Sequence, residues 1–325
     1  MDEERTAAWW GRRAWELLSA VRARAPLVHC VTNLVSMDIA ANALLAAGAS
    51  PAMVHSLREV PEFTPRCDAV CVNVGTLSEG WLPSMRAAAS AGRPWVLDPV
   101  AAAASEFRME ACLSLLALRP AVVRGNASEI LALASRSLAA AASSSSSSST
   151  FKGADSTHDS GDALQDAKAL ARSTGAVIAV SGAVDYVTDG ERVVGASNGV
   201  AMMQKITATG CAATALIAAF LAVVEEPSDA MAAAACALAV FGLAGEIGME
   251  SGAKGPASLR MHLIDALYCL DEQTVTSRVR ISLHSHHLTV ITDRESCTPR
   301  KSSSRIQFVR YRPGMGILNS EIDGH

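Results

Sequence analysis

The run Lys205-Ile206-Thr207-Ala208-Thr209-Gly210-Cys211-Ala212-Ala213-Thr214 joins a flexible turn to an apolar helix and sets one thiol in the helix's first turn. A helix start presents backbone N–H groups and the positive end of a dipole, which suit a phosphate or another developing anion. Cys211 beside it has the chemistry to take a proton from an attacking group. A helix start lowers a thiol's pKa, whereas a nearby phosphate opposes its ionisation. A covalent nucleophile would want a His–acid pair behind the thiol. No local signature ties a histidine to Cys211, so base or hydrogen-bond partner is the preferred role.

Two acids and a cation sit at spacings that complement such a cradle. Val96-Leu97-Asp98-Pro99-Val100 puts a carboxylate at the end of a buried strand, the edge where open α/β sheets gather ligands. There Asp98 either holds Mg²⁺, directly or through water, or caps the next segment. In Arg124-Gly125-Asn126-Ala127-Ser128-Glu129, Arg124 suits a nucleotide phosphate, Asn126 a phosphate or water, and Glu129 a Mg²⁺-bound water. The same spacing makes Asn126 a helix N-cap completed by Glu129, and the two readings are compatible. Ser181-Gly182 closes an apolar strand as a nucleotide contact or a plain turn. Thr32 and Asn33 either reach a substrate or cap the helix near Ser36. His29 reads as a core histidine. Together these residues point to phosphoryl transfer onto a small molecule.

The elements that position them alternate. Strands are predicted at Val28–Val31, Ala52–Val54, Ala69–Val74, Trp95–Leu97, Ala121–Val123 and Ala176–Val180, each apolar enough to be covered on both faces. Helices are predicted at Ser36–Ala46, Leu82–Ala89, Glu110–Leu116, Glu129–Leu138 and Ala163–Ser173. Such alternation predicts βαβ crossovers and a mostly parallel sheet between helices. A hairpin through Asp189-Gly190 and helices Cys211–Val224, Asp229–Glu250 and Leu259–Leu270 follow. Ser143–Thr150 reads as a flexible insertion, and residues 281–325 as an irregular tail.

Half of the 325 residues are apolar, enough for a substantial core, while aromatics are only 4% and alanine abounds, which favours close helix packing. A net charge of −4 and pI near 6.1 argue against a nucleic-acid partner or an anionic membrane. Ala230–Met249 is apolar but is broken by Glu246, and reads as a core helix rather than a membrane span. The eight cysteines lack paired metal spacing and read as reduced residues of a cytoplasmic protein.

In order along the chain, Pro26–Asn33, Gly48–Met53, Asn73–Thr76, Leu97–Val100, Arg124–Glu129, Thr209–Cys211 and Lys254-Gly255-Pro256 with Ser258 resemble the hydroxyethylthiazole kinase family. The resemblance spans roughly residues 15–275. It implies a ribokinase-like three-layer α/β/α fold and a homotrimer with sites between subunits. It also implies ATP- and Mg²⁺-dependent phosphorylation of the hydroxyl of 4-methyl-5-(2-hydroxyethyl)thiazole, in thiamine biosynthesis or salvage. Under it Met53 is a thiazole-pocket position, Ala208 contacts substrate, and Arg124 and Ser181 bind nucleotide; Asn33 as a substrate contact and Gly210 as a phosphate contact are read from their places at the strand end and helix start. Asp98 and Glu129 are the metal-and-phosphate acids, and Cys211 stands where related kinases place an aspartate base. Ala208 departs from a position that is often glycine, so its methyl narrows the pocket or demands an altered φ. Alternatives are a related kinase of another vitamin-precursor alcohol, such as hydroxymethylpyrimidine, and a non-catalytic thiazole- or nucleotide-binding homologue.

Overall fold

The structure, a computed structural model, describes residues 6–142 and 159–284. Helix α1 (Ala7–Arg24) leads into β1 (Leu27–Val31), α2 (Met37–Ala47), β2 (Ser50–Ala52) and the short α3 (Val60–Phe63). Strands and helices then alternate through β3 (Ala69–Asn73), α4 (Leu82–Ala89), β4 (Trp95–Asp98), α5 (Glu106–Leu116), β5 (Val122–Asn126) and α6 (Ala127–Ala142). After α7 (Leu164–Thr174) come β6 (Val177–Ser181) and a hairpin of β7 (Asp185–Thr188) and β8 (Val193–Ala196). Helices α8 (Thr209–Leu221), α9 (Ala230–Glu250), α10 (Pro256–Cys269) and α11 (Glu272–Arg278) precede the last strand, β9 (Ile281–Leu283).

One sheet runs β2-β1-β3-β4-β5-β6-β7-β8-β9. Its first six strands are parallel, and β7, β8 and β9 add to the far side antiparallel. Alternation along each parallel strand divides the apolar side chains between two cores. Val177 and Ala179 face the core built with α1, α2, α8, α9 and α10, while Ile178 and Val180 face the one built with α4 to α7. Period-2 strands covered on both faces therefore give the three-layer α/β/α arrangement anticipated above. Helix α9 is long and apolar enough to cross a membrane, yet it is packed inside the fold against α8 and α10. That is the geometry of a central core helix.

Among the described residues, regular elements run from Ala7 to Leu283. Helix α1 starts with Thr6, whose hydroxyl accepts from the Trp9 N–H. Its Trp10, Ala14, Leu17, Leu18 and Val21 are buried. Ile281–Leu283, anticipated as the start of an irregular tail, instead pair with β8. Arg280 seats them: its N–H donates to Asn198 Oδ1 (2.7 Å), and its guanidinium pairs with Glu246. Strand β2 ends at Ala52, two residues before the expected Val54. The serine-rich insertion at 143–150 and the tail from residue 285 lie outside the described residues.

Candidate active site

The parallel strands deliver the site at their carboxyl ends. Asp98 closes β4, lies in register beside Asn73 of β3, and is fully buried. Its Oδ2 accepts from Asn73 Nδ2 (2.6 Å) and from the Thr214 hydroxyl of α8 (2.9 Å). Its Oδ1 is buried with no hydrogen-bond partner. Asn73 Oδ1 in turn accepts from Asn33 Nδ2 (2.8 Å) and from the Gly75 N–H (2.9 Å). Asn33 Nδ2 also reaches Cys211 Sγ (3.5 Å), so two amides link the acid to the thiol. Asn33 Oδ1 accepts from the Val35 and Ser36 N–H groups, so the turn-capping role holds as well. Gly75 is small for a reason: a Cβ there would lie 2.7 Å from Asn33 Nδ2.

Arg124 crosses the opposite side of the cluster. Its Nη2 donates to Ser181 Oγ (2.5 Å), and its guanidinium lies over Gly210 at the start of α8. Glu129 makes the anticipated reciprocal cap: its Oε2 accepts from the Asn126 N–H (2.8 Å), and Asn126 Oδ1 accepts from the Glu129 N–H (2.9 Å). Its Oε1 accepts from the Ala101 N–H (2.8 Å). A single bond to each carboxylate oxygen leaves lone pairs on both. The cap therefore aims Glu129 and does not exhaust it.

Burial pushes the Asp98 carboxyl up, opposed by the Arg124 charge and by hydrogen bonds from Thr214 and Asn73. Glu129 rises to about 7, mainly from burial and then from Asp98 beside it. Asp185, at the start of β7 and within the field of Arg124, rises to about 6 through burial. The Cys211 thiol rises to about 11, again through burial and then Asp98. Those two causes outweigh the helix start, so the thiol is protonated at neutral pH.

Among the described residues no group of three or more His, Cys, Asp or Glu side chains is placed to hold a metal by itself. Mg²⁺ does not need one, since it takes one or two carboxylates and completes its shell with water and phosphate. The orphaned Asp98 Oδ1 and the spare lone pairs of Glu129 fit that demand.

Ala208 adopts a left-handed conformation (φ 61°, ψ 18°) immediately before α8. Met53 leaves the end of β2 and packs, half-buried, against the α1-side core. Its carbonyl lies 3.2 Å from His55 Nδ1. The structure thus gathers Asn33, Asp98, Arg124, Ser181, Gly210 and Cys211 through direct contacts, with Glu129 and Asn126 as a reciprocal cap beside them. Met53 reaches the group through the backbone.

Thr214, Asn73, Asp185 and His55 belong to this neighbourhood, and the sequence reading gave them no role. Thr214 stands three residues after Cys211, on the same helix face. Asn73 ends an apolar strand as a polar residue, the signal used for Asp98.

The model of the hydroxyethylthiazole kinase family matches residues 18–273. A hydroxyethylthiazole kinase of Zea mays is 80% identical over 282 residues, covering 87% of this chain and 97% of its own. The solved hydroxyethylthiazole kinase protein from Pyrococcus horikoshii superposes with a TM-score of 0.74 at 37% identity, over 84% of this chain and 99% of that one. A Staphylococcus aureus pyridoxal kinase solved with AMP-PCP and pyridoxal covers 79% of this chain and 98% of its own, with a TM-score of 0.51 at 13% identity. That last likeness concerns the fold alone, a mostly parallel sheet between layers of helices. With a family match across most of its length and a relative at 80% identity, the chain belongs to the hydroxyethylthiazole kinase family.

Proposed function

We propose that the protein transfers the γ-phosphoryl group of ATP to the hydroxyl of 4-methyl-5-(2-hydroxyethyl)thiazole. The observation that carries this reading is the Arg124 guanidinium lying over Gly210 at the amino end of α8, with Asp98 joined to the same helix through Thr214. Phosphoryl transfer asks mainly for alignment and charge neutralisation, and these groups supply both.

Arg124 and Ser181 grip nucleotide phosphates. The N–H groups around Ala208, Gly210 and Cys211 face the moving phosphoryl, where charge accumulates. Asp98 and Glu129 are the residues that would hold Mg²⁺, which supplies neutralisation of the phosphate oxygens. The acceptor alcohol lies between the Met53 side and Asn33, against Cys211. Because that thiol carries its proton, its first role is to hydrogen-bond and orient the alcohol. Asn33 holds its sulfur in place by donating from Nδ2.

The test is ADP release from the purified full chain with ATP, Mg²⁺ and hydroxyethylthiazole, alongside hydroxymethylpyrimidine as the competing alcohol. Mass spectrometry of the product identifies the phosphorylated compound. Preference for hydroxyethylthiazole by at least tenfold in kcat/KM is the expected result. Equal or better turnover of the pyrimidine alcohol overturns the substrate assignment.

Assembly as a homotrimer with sites between subunits is part of the same proposal. Exposed Leu34 and Val35, directly after Asn33, support it by placing uncovered apolar surface at the site's edge. Light scattering on the eluting protein reads the mass. A cytoplasmic location is also proposed, supported by the thiols of Cys30, Cys67, Cys71 and Cys112, buried and outside any disulfide.

A further inference from the structure

The segment that leaves β2 carries Met53, and two imidazoles tie it to the end of β1. His29, buried within β1, donates from Nε2 to the Val54 carbonyl (2.8 Å). Its Nδ1 must then accept, and the Thr64 hydroxyl supplies that proton at 3.0 Å. Burial lowers the His29 pKa, in keeping with a neutral ring locked in one tautomer. His55 works from the other side. Its Nε2 donates to the Thr32 carbonyl (2.9 Å), and its Nδ1 faces the Met53 carbonyl at 3.2 Å. Its ring also rests on Trp81, with centroids 4.5 Å apart.

Thr32 is bonded directly to Asn33, whose amide touches Cys211. The segment carrying Met53 is therefore tied back twice: His29 fixes Val54 to β1 inside the fold, and the half-exposed His55 fixes it to Thr32, next to Asn33. We propose that His55, backed by Trp81, is a positioning residue that sets the width of the acceptor pocket and so its selectivity for a heteroaromatic alcohol. This rests on the acceptor reading above. It predicts that His55 acts on the alcohol and not on the nucleotide, because Arg124 and Ser181 sit on β5 and β6.

A residue that only supported the fold would change both Michaelis constants, or neither. The experiment compares full-chain wild type, His55→Ala and His55→Gln by steady-state kinetics. Calorimetric binding of hydroxyethylthiazole without nucleotide, and thermal unfolding, accompany it. His55→Ala should raise the acceptor KM and Kd about tenfold, the scale of one lost hydrogen bond, while the ATP KM stays within about twofold. His55→Gln, whose amide N–H can still reach the Thr32 carbonyl, should recover most of that loss. An unchanged acceptor KM, or a parallel rise in both constants, overturns the proposal. If His55→Ala does not fold, His55→Asn, whose shorter amide does not reach the Thr32 carbonyl, is read in the same way. If the wild type prefers another alcohol, the substrate assignment falls by itself. The split is then measured with that alcohol, and its absence overturns the role of His55. A wild type that neither binds nor phosphorylates any of these alcohols also overturns it.

Discussion

The guanidinium of Arg124 occupies the space that a side chain on residue 210 would need: a Cβ added to Gly210 would lie 2.5 Å from Arg124 Nη1. Gly210 has no left-handed φ that would require glycine. Its smallness serves the neighbour. Gly210→Ala should leave the fold intact, since alanine is a good helix former. It should raise the ATP KM about tenfold by pushing the guanidinium away, on the scale of one charge-assisted bond. Kinetics at fixed acceptor concentration check this, and an unchanged ATP KM would separate Gly210 from nucleotide binding.

Cys211→Asp should remain active, since a carboxylate can serve beside the acceptor hydroxyl. Complete loss of turnover with normal circular dichroism would count against the assigned position. In the wild type a thiol pushed up to about 11 should be alkylated slowly near neutrality. Its rate should rise about tenfold per pH unit until about pH 10. Peptide mass spectrometry follows Cys211 separately from the exposed Cys269.

Stability should fall with rising pH through a defined window. Glu129 moves from 4.5 to about 7 on folding, so its contribution is fully present below about 4.5 and is lost as pH rises through about 7. Asp185, raised from 3.8 to about 6, acts in the same direction in a lower window. Glu129→Gln should therefore flatten the drop in unfolding midpoint between about pH 5 and 7.5 and leave the lower part. The slope is the readout, because glutamine also forfeits one backbone acceptor and lowers the midpoint throughout. Glu129→Ala and Asp98→Ala should both raise the Mg²⁺ needed for half-maximal rate, and an unchanged metal dependence would remove them from the site.

Ala208 holds φ at 61°, a conformation that costs an L-residue roughly 1–2 kcal/mol. Ala208→Gly should raise stability by about 1 kcal/mol, less the entropy glycine loses on folding. It should also widen the acceptor side of the turn, seen as a lower KM for bulkier alcohols. A drop in stability would show that the methyl's packing outweighs the strain.

The layered fold was legible because βαβ alternation writes itself as apolar runs separated by helical periodicity. The placement of Asp98, Arg124, Ser181 and Asn33 was legible because each is polar at the end of such a run, and that of Glu129 because it stands three residues after a capping asparagine. What escaped notice had a different physical basis. Helix α1 shows Trp10, Ala14, Leu17 and Val21 at helical spacing behind a Thr6 cap, a usable pattern hidden among charged residues. The role of Glu246 could not be read: it interrupts an apolar helix locally, and its reason lies with Asn198 and Arg280, far away in sequence. His55 likewise gains meaning only when the ends of β1 and β2 come together. The protonated state of Cys211 comes from burial and then from Asp98 at the end of β4, neither of which a local window contains.

The division of the sheet has a lasting consequence for how the molecule can change. Every strand end that feeds the cluster belongs to β1 through β6, with Asp185 the lone addition from β7, while β8 and β9 give nothing to it. Mutational drift, a lengthened rim or a grafted extension at that margin would leave the catalytic alignment undisturbed. Descendants of this chain can thus diversify along one border while the opposite half stays frozen.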